Sequence, residues 1–210
     1  MLTRGVGDHA LLVLVDDARS AAVVRERVLD LAAEAGLPMP RDVVPAARSV
    51  LLDGLPGPAA VTAWRSRVED EPSPDPGSAT GSRGPEIRLE MTYDGADLRV
   101  VAEAWSCSPE AVVERHQRVV YVVAFCGFAP GFAYCVSTEP LPEVPRRDAP
   151  RERVARGSVG LAGEYCGVYP TEMPGGWQLV GRTTAVLFDP ERDEPALLVP
   201  GDRVRFQAFS

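Results

Sequence analysis

The feature that most constrains the fold is an apolar stretch, residues 119–125, that runs directly into a turn rich in glycine, proline and aromatic residues. Glycine allows the backbone to approach a neighbouring strand or a ligand closely, and proline fixes the geometry of the turn. Alone, the run is typical of a core strand that ends in a tight turn, with aromatic rings placed to line a concave wall. Its sequence is Phe125-Cys126-Gly127-Phe128-Ala129-Pro130-Gly131-Phe132-Ala133-Tyr134-Cys135.

Three more glycine-rich motifs follow this turn along the chain, and the ordered series is more specific than any one member. They are 157–163 (GSVGLAG), 167–170 (GVYP) and 174–183 (PGGWQLVGRT). Glycine and proline recur every few residues here and the apolar runs stay short, which is typical of a compact β-barrel with tight turns. Residues 86–210 are therefore predicted to form a barrel domain.

Individual elements are also predicted within that domain. Residues 86–93 alternate between apolar and polar side chains, which predicts a strand. A short helix is expected to begin at its N-cap, Asp97. A second helix is expected to begin after the cap Ser108 and to reach His116. Residues 196–206 predict two short strands around a Pro-Gly turn.

The N-terminal part of the chain, residues 1–70, predicts a separate and smaller α/β domain. An apolar run at 10–15 is followed by a helical pattern of apolar residues at 18–35. A strand is predicted at 43–52, with an internal proline that indicates an edge position or a late start, and a second helix at 58–68. Alternation of strand and helix in so short a span is typical of a two-layer, ferredoxin-like sandwich.

Between these two parts, residues 71–85 are dominated by proline, glycine, serine and acidic residues and contain no large apolar side chain. Such a composition predicts a flexible linker and a domain boundary. The predicted fold class is therefore α+β, with a small α/β domain, a linker and a barrel domain.

The charge balance argues against several classes of function. The net charge of −8 disfavours a general nucleic-acid surface or a surface for anionic membranes, and all 22 basic residues are arginine. Without lysine there is no Walker-type lysine for a nucleotide phosphate, no Schiff-base lysine for pyridoxal phosphate and no lysine to carry biotin. A phosphate or carboxylate must be held by arginine, by backbone N–H groups or by a partner chain.

The expected compartment follows from what the sequence does not contain. No run approaches the roughly 18 apolar residues of a membrane span, and no secretory signal pattern is present. The four cysteines, at 107, 126, 135 and 166, form no C-x-x-C pair, and with one histidine nearby they do not compose a zinc site. We expect a cytoplasmic protein with reduced thiols and no bound metal.

His116 is the candidate general base, because it is the only histidine near the motifs. It lies at the end of a predicted helix, where a cation interacts favourably with the helix C-terminus. An imidazole that merely caps this helix end is an equally good interpretation. No Ser-His-Asp triad is proposed, and the 157–160 motif lacks the G-x-S-x-G spacing of a nucleophile elbow.

The run at 146–156 holds five arginines against two acidic residues, which makes it a local positive island in an acidic protein. Guanidinium groups suit carboxylate or phosphate, and the glycine turn that follows can present N–H groups to the same anion. A solvated arginine loop, or a patch that meets an acidic partner, is an equal alternative. If 177–182 is a strand, Trp177 and Arg182 point to opposite faces.

Together, the ordered motifs resemble the KipI family, also known as the B-type subunits of 5-oxoprolinase, as allophanate hydrolase subunit 1 or as the carboxyltransferase domain, subdomain C and D. The resemblance is strong across 86–206 and weaker before residue 55. It implies a small N-terminal α/β domain followed by a cyclophilin-like β-barrel. The motifs that carry it are Gly7-Asp8, Ala10-Leu11-Leu12, Tyr93-Asp94-Gly95-Ala96-Asp97-Leu98, His116, residues 127–134, 157–163, 167–170, 174–177 and Gly181-Arg182-Thr183.

This resemblance implies one of three functions. The first is the B-type subunit of an ATP-dependent 5-oxoprolinase, a non-autonomous amidohydrolase component that opens 5-oxoproline to glutamate, with ATP and magnesium used by the complex and no cofactor attached covalently. The second is the carboxyltransferase half of a urea carboxylase or allophanate-type complex, and the third is inhibition of a sporulation histidine kinase. Ala129, Cys135 and the pair Tyr165-Cys166 depart from the family pattern, which leaves the substrate open.

A companion chain is implied in all three cases. The expected partner is a KipA-like chain, the C-type subunit of 5-oxoprolinase, with a third, A-type subunit in the first case. A small-molecule substrate is expected, and neither nucleic acid nor a membrane. A purely structural alternative is a scaffold half whose glycine and aromatic motifs form only the interface with the companion.

The residue patterns and the resemblance together name the candidate site residues. His116 is the catalytic candidate. Binding of substrate or another anion is predicted for Arg151, Arg153, Arg182 and Tyr169. Positions predicted to line a pocket or an interface are Phe128, Pro130, Gly131, Phe132, Pro170, Gly175, Gly176 and Trp177.

Overall fold

The computed structural model of the chain describes residues 1–34, 36–75 and 84–209. The chain divides into two compact units, Met1–Ser82 and Arg83–Ser210, and both contain helices and strands. The fold is therefore mixed α+β, as predicted. The central part of the predicted linker at 71–85 lies outside the described residues. No helix among those described is both long enough and apolar enough to cross a membrane.

In the first unit, the described residues form an antiparallel sheet with two helices. The elements are β1 (Leu2–Val6), β2 (Ala10–Leu14), α1 (Ala18–Glu34), β3 (Asp42–Pro45), β4 (Ser49–Asp53) and α2 (Pro58–Glu69). The strand order is β1-β2-β4-β3, because two hairpins pair through their inner strands β2 and β4. The apolar stripe of α1 packs on this sheet. The core includes Leu11, Val13, Ala21, Val24, Val28, Leu31, Val50, Leu52, Trp64 and Val68.

Two details predicted for this unit differ from the structure. The single strand predicted at 43–52 is a hairpin, in which the N–H of Ala46 donates to the carbonyl of Ser49 at 2.8 Å. Pro45 ends β3, and β3 is an edge strand of the sheet, as the proline predicts, since proline has no N–H to donate to a further strand. The first strand, at Leu2–Val6, has mostly exposed side chains and therefore no apolar pattern to predict it. The resulting order ββαββα is not the βαββαβ order of a ferredoxin-like domain, so that detail is not confirmed.

The second unit is built around a barrel, which seven of its described strands close. The elements are β5 (Glu86–Thr92), α3 (Leu98–Ala104), α4 (Pro109–Arg118), β6 (Tyr121–Cys126), β7 (Ala133–Ser137), β8 (Arg151–Val154), β9 (Ser158–Ala162), β10 (Tyr165–Val168), β11 (Met173–Gly175), β12 (Gln178–Thr183) and β13 (Arg203–Ala208). The barrel order is β10-β7-β6-β13-β5-β12-β9, and β9 pairs with β10 to close it. Two further strands, β8 and β11, pair with each other as a separate small sheet.

Most of the elements predicted in this unit are confirmed. The first predicted strand is β5, and α4 follows the cap Ser108, whose Oγ accepts a hydrogen bond from the N–H of Ala111 at 3.2 Å. The two strands predicted at 196–206 are wrong in part: β13 begins at Arg203, and the residues before it contribute only an isolated bridge between Phe188 and Ala196. The apolar core of the barrel includes Leu89, Met91, Val101, Trp105, Val112, Tyr121, Val159, Val180, Val204 and Phe206.

Candidate functional site

A cleft of about 1000 Å³ opens on the second unit, beside the β6–β7 hairpin, the segment that follows β10 and the loop that precedes β8. Its charged lining residues are Glu143 and Arg146, and the remainder of its lining is aromatic, aliphatic, proline or glycine. The aromatic lining residues are Phe128, Phe132, Tyr134, Tyr165, Tyr169 and Trp177.

Phe132 lies at the centre of the aromatic wall. Its ring centroid is 5.4 Å from those of Tyr169 and Trp177, in edge-to-face geometry, and 5.0 Å from that of Tyr134. Aromatic rings prefer such edge-to-face contacts. Phe132, Tyr169 and Trp177 are all buried. The cleft wall is thus held in shape by the chain's own packing.

Glycine is required where this wall meets the backbone. A Cβ on Gly175 would overlap the hydroxyl of Tyr169, and one on Gly167 would lie 2.9 Å from the carbonyl oxygen of Ala133 and 3.0 Å from the Trp177 ring. The motifs at 167–170 and 174–183 therefore carry glycine because the aromatic rings pack directly against backbone. This explains the alternation of glycine and aromatic residues that the sequence shows.

The phenol groups of Tyr134 and Tyr169 stay protonated at neutral pH. Burial raises the pKa of Tyr134, and the nearby charge of Arg146 offsets part of that rise. Burial likewise raises the pKa of Tyr169, against smaller opposing effects of a hydrogen bond from the backbone N–H of Trp177 and of the Arg146 charge. Both hydroxyls are therefore available as neutral hydrogen-bonding groups, and the described lining includes no histidine, cysteine or serine as a nucleophile. The arrangement suits binding and orientation of a small ring that carries an anionic group.

The loop that forms one side of the cleft is anchored to a buried carboxylate, Asp97. Its Oδ1 accepts hydrogen bonds from Arg151 at 2.8 Å and from Arg147 at 3.4 Å, and its Oδ2 accepts one from the backbone N–H of Leu179 at 2.7 Å. Asp97 is the N-cap residue of α3, as predicted, but its side chain makes no capping hydrogen bond, because both oxygens face the loop and β12. The carboxylate instead connects three segments that are distant in sequence.

The other two arginines predicted to bind an anion also have carboxylate partners within the chain. Arg182 pairs with Asp94 at 2.9 Å, and Arg153 pairs with Glu172 at 3.7 Å, both at the surface. Neither of them, nor Arg151, lines the cleft. Anion binding by these three arginines stays a prediction, and none of them contributes to the lining of the cleft.

The model of the carboxyltransferase domain, subdomain C and D, matches residues 1–198. The chain belongs to this family. It is 53% identical to the protein named as the B subunit of 5-oxoprolinase in Escherichia coli O157:H7 over 123 residues, which are 57% of this chain and 56% of that protein. It is 45% identical to the Bacillus subtilis (strain 168) protein of the same name over 127 residues, which are 59% of this chain and 53% of that protein.

These matches span about half the length of the two relatives. Among solved structures, the chain is similar to the conserved uncharacterized protein PH0987 from Pyrococcus horikoshii, at 31% identity and a TM-score of 0.56. That match covers 100% of this chain and 98% of the other. The family model, which matches residues 1–198, extends over both units of the fold.

Six of the positions predicted to form a pocket or an anion site do line the cleft of this carboxyltransferase-family chain. They are Phe128, Phe132, Tyr169, Gly175, Gly176 and Trp177. Three others, Pro130, Gly131 and Pro170, do not line it. Gly131 has a structural role in the turn, since its φ is +80° and a Cβ there would lie 2.7 Å from that of Phe188.

His116, the catalytic candidate, lies in the barrel core and not in the cleft. It is fully buried, with Nδ1 at 2.8 Å from the Tyr93 hydroxyl and Nε2 at 3.4 Å from Sγ of Cys166. Burial lowers the pKa of the imidazole to about 3, so the ring is neutral. His116 is not among the residues that line the cleft, and its ring contacts tyrosine and cysteine instead of capping α4.

Arg146 is the functional candidate that the sequence did not single out. The sequence placed it in the arginine run without distinguishing it from its neighbours. The distinction depends on Asp97, which is distant in sequence and takes Arg147 and Arg151 but not Arg146. No local sequence pattern shows which of these arginines pair with Asp97. Tyr134 and Tyr165 were likewise present in the motifs and not named as lining residues.

Proposed function

We propose that this chain is a B-type component of an ATP-dependent 5-oxoprolinase complex, which hydrolyses the lactam of 5-oxoproline to glutamate. The observation that carries the proposal is its 53% identity with a protein named as the B subunit of 5-oxoprolinase. The cleft supports it, because aromatic walls suit the apolar face of a small ring and a guanidinium suits a carboxylate.

The proposal includes a companion chain. A KipA-like chain, the C-type subunit of 5-oxoprolinase, would complete the site, and an A-type subunit would join them. The cleft supports a shared site, because its described lining suits a ring well but offers Glu143 as the only carboxylate. We further propose a cytoplasmic location and a cyclophilin-like type for the barrel.

A site for ATP and magnesium does not fit the cleft of this chain. The described residues include no group of three or more histidine, cysteine, aspartate or glutamate residues able to hold a metal ion. The cleft offers one arginine for a triphosphate, and the sequence has no lysine. The nucleotide is therefore assigned to the companion chains in this proposal.

The test is reconstitution of the complex. The chain is co-expressed with its companion subunits, and release of ADP and formation of glutamate are measured with and without 5-oxoproline. We expect ATP hydrolysis that depends on 5-oxoproline and glutamate formed in proportion to it, with no turnover by this chain alone. An assembled complex that forms no glutamate would refute the proposal.

The carboxyltransferase reaction is a second candidate, favoured by the description of the family model that matches residues 1–198. Since this chain has no lysine, biotin would be attached to another chain. In that case the complex would transfer carboxylate from carboxybiotin to urea or a related amide. Carboxybiotin decay that is unchanged by added amides would exclude this reaction.

A further inference from the structure

We propose that Arg146 is the residue that recognises the substrate carboxylate in this cleft; the identity of that substrate as 5-oxoproline rests on the proposed function. Of the charged groups that line the cleft, Arg146 is the cation and Glu143 the anion. None of the ion pairs found among the described residues involves Arg146, whereas Arg147 and Arg151 both pair with Asp97. Its guanidinium is therefore free to bind an anion that enters the cleft.

The neighbouring arginines of the same loop are not free in this way. Arg147 and Arg151 both donate to Asp97, the buried carboxylate that anchors the loop, whose side chain is 5% exposed. Arg156 is exposed and does not line the cleft. The loop thus uses two guanidinium groups for its own structure and presents a third to the cleft.

The backbone on both sides of Arg146 is fixed to the cleft wall. On one side, the carbonyl of Pro145 accepts a hydrogen bond from Nε2 of Gln178 at 3.0 Å. On the other, the N–H of Arg147 donates to the carbonyl of Gly176 at 2.9 Å. A Cβ on Gly176 would lie 3.9 Å from Nε of Arg146, so the side chain runs along the bare glycine backbone. A cation that is positioned before binding loses less freedom when the ligand arrives.

The surroundings of Arg146 match a small lactam acid in particular. The guanidinium provides two parallel donors for a carboxylate. Glu143 provides a carboxylate that can accept a lactam N–H, and the rings of Tyr134 and Trp177 provide the apolar wall. The molecule 5-oxoproline carries a carboxylate, a lactam N–H and three ring methylene or methine carbons outside the carbonyl. The carboxylate of 5-oxoproline would pair with Arg146, and its ring would pack against the aromatic wall.

The kinetic test uses the reconstituted complex with Arg146→Gln, Arg146→Lys and, as a matched control, Arg156→Gln. We expect Arg146→Gln to raise the KM for 5-oxoproline about tenfold or more, with kcat within about twofold, because a charge-assisted contact is lost on binding. Arg146→Lys should recover part of the loss, and Arg156→Gln should behave as the unmodified complex. A KM for Arg146→Gln within twofold of the unmodified complex would overturn the assignment while leaving the proposed function intact.

A binding test decides the role of Arg146 even if the complex shows no turnover. Calorimetry compares 5-oxoproline with its neutral amide, 5-oxoprolinamide, on the unmodified complex and on Arg146→Gln. We expect the unmodified complex to prefer the acid about tenfold and Arg146→Gln to lose that preference, whereas Glu143→Gln should retain it. No binding of the acid to the unmodified complex, or an equal preference in Arg146→Gln, would refute the assignment. Absence of 5-oxoproline-dependent ATP hydrolysis with the preference present would refute only the proposed function.

Discussion

A single buried carboxylate holds the loop from which Arg146 extends. Asp97 satisfies the backbone N–H of Leu179 and two guanidinium groups at once, with 5% of its side chain exposed. A buried charge of this kind is tolerated because it is fully hydrogen-bonded, and its loss leaves several donors without a partner. The shape of the cleft therefore depends on a residue outside the cleft.

Replacement of Asp97 by asparagine is expected to lower the free energy of unfolding by about 2–3 kcal/mol, because Arg147 and Arg151 lose their counter-charge in a partly buried setting. The matched control is Asp94→Asn, which breaks the exposed pair with Arg182. That change is expected to cost less than about 1 kcal/mol. Urea denaturation of both variants gives the comparison, and equal losses would contradict the anchoring role of Asp97.

His116 makes stability depend on pH. Its pKa in the folded chain is lowered to about 3 by burial, against an ordinary value of 6.5. Between these values the unfolded chain binds a proton that the folded chain does not, so stability falls as the pH drops below about 6.5. The expected slope from this residue approaches 1.4 kcal/mol per pH unit, roughly, well below the ordinary pKa.

Two measurements check this pH dependence. Urea denaturation at pH 7.5 and at pH 5 should show the loss of stability at the lower pH. In NMR spectra of His9→Gln, which leaves His116 as the remaining histidine, the imidazole carbon-bound protons should keep constant chemical shifts from pH 8 to pH 5. A titration midpoint for His116 above pH 5 would show that the ring is not held neutral.

At the scale of elements, the β6–β7 hairpin combines a strained backbone with an exposed ring. Phe128 has a φ of +71°, in the left-handed region that favours glycine, and its side chain is 68% exposed. Its ring still meets Phe132 edge to face, with centroids 5.7 Å apart. Strain at a position that lines a cleft is typical of a residue retained for binding.

We therefore expect Phe128→Gly to be more stable than Phe128→Ala by about 1 kcal/mol, because both variants lack the ring but only glycine relieves the left-handed conformation. Gly127→Ala serves as the control, since a Cβ at Gly127 has no heavy atom within 4 Å. It should change stability little. Urea denaturation measures all three variants, and an alanine variant as stable as the glycine variant would show that Phe128 is not strained.

The elements of the barrel follow from the sequence more directly than the contacts that shape its cleft. Glycine and proline mark the turns locally, which is why β5, α4 and the 127–134 turn could be predicted. The β3–β4 hairpin could not, because its turn at 46–48 carries neither glycine nor asparagine. The arginines that pair with Asp97 are about 50 residues away in sequence and lie among several others, so no local sequence pattern identifies them.

At the scale of the whole molecule, the proposed function assigns substrate binding to this chain and the activating groups to its companions. The cleft provides a preformed wall, one cation and one carboxylate. The described residues include no metal-binding cluster, and the described lining of the cleft includes no histidine. Such a chain fits the role of a component that binds and orients a substrate, while a companion supplies the activating groups. The aromatic wall needs no companion to form, because its rings pack against one another within this chain.

Whether the cleft motifs bind a substrate or a companion chain can be tested at this scale. Trp177→Ala is a poor test, because Trp177 is 6% exposed and its removal should destabilise the fold by about 3–5 kcal/mol. Phe128→Ser and Arg146→Gln change exposed side chains and leave no such cavity.

Since the wall is preformed, we expect both variants to co-purify with the companion at the unmodified stoichiometry and to bind 5-oxoproline more weakly. Size-exclusion chromatography with the purified companion measures assembly, and calorimetry measures binding. Loss of the companion from either variant, with the variant itself folded by circular dichroism, would show that the rim of the cleft is an interface between the two chains.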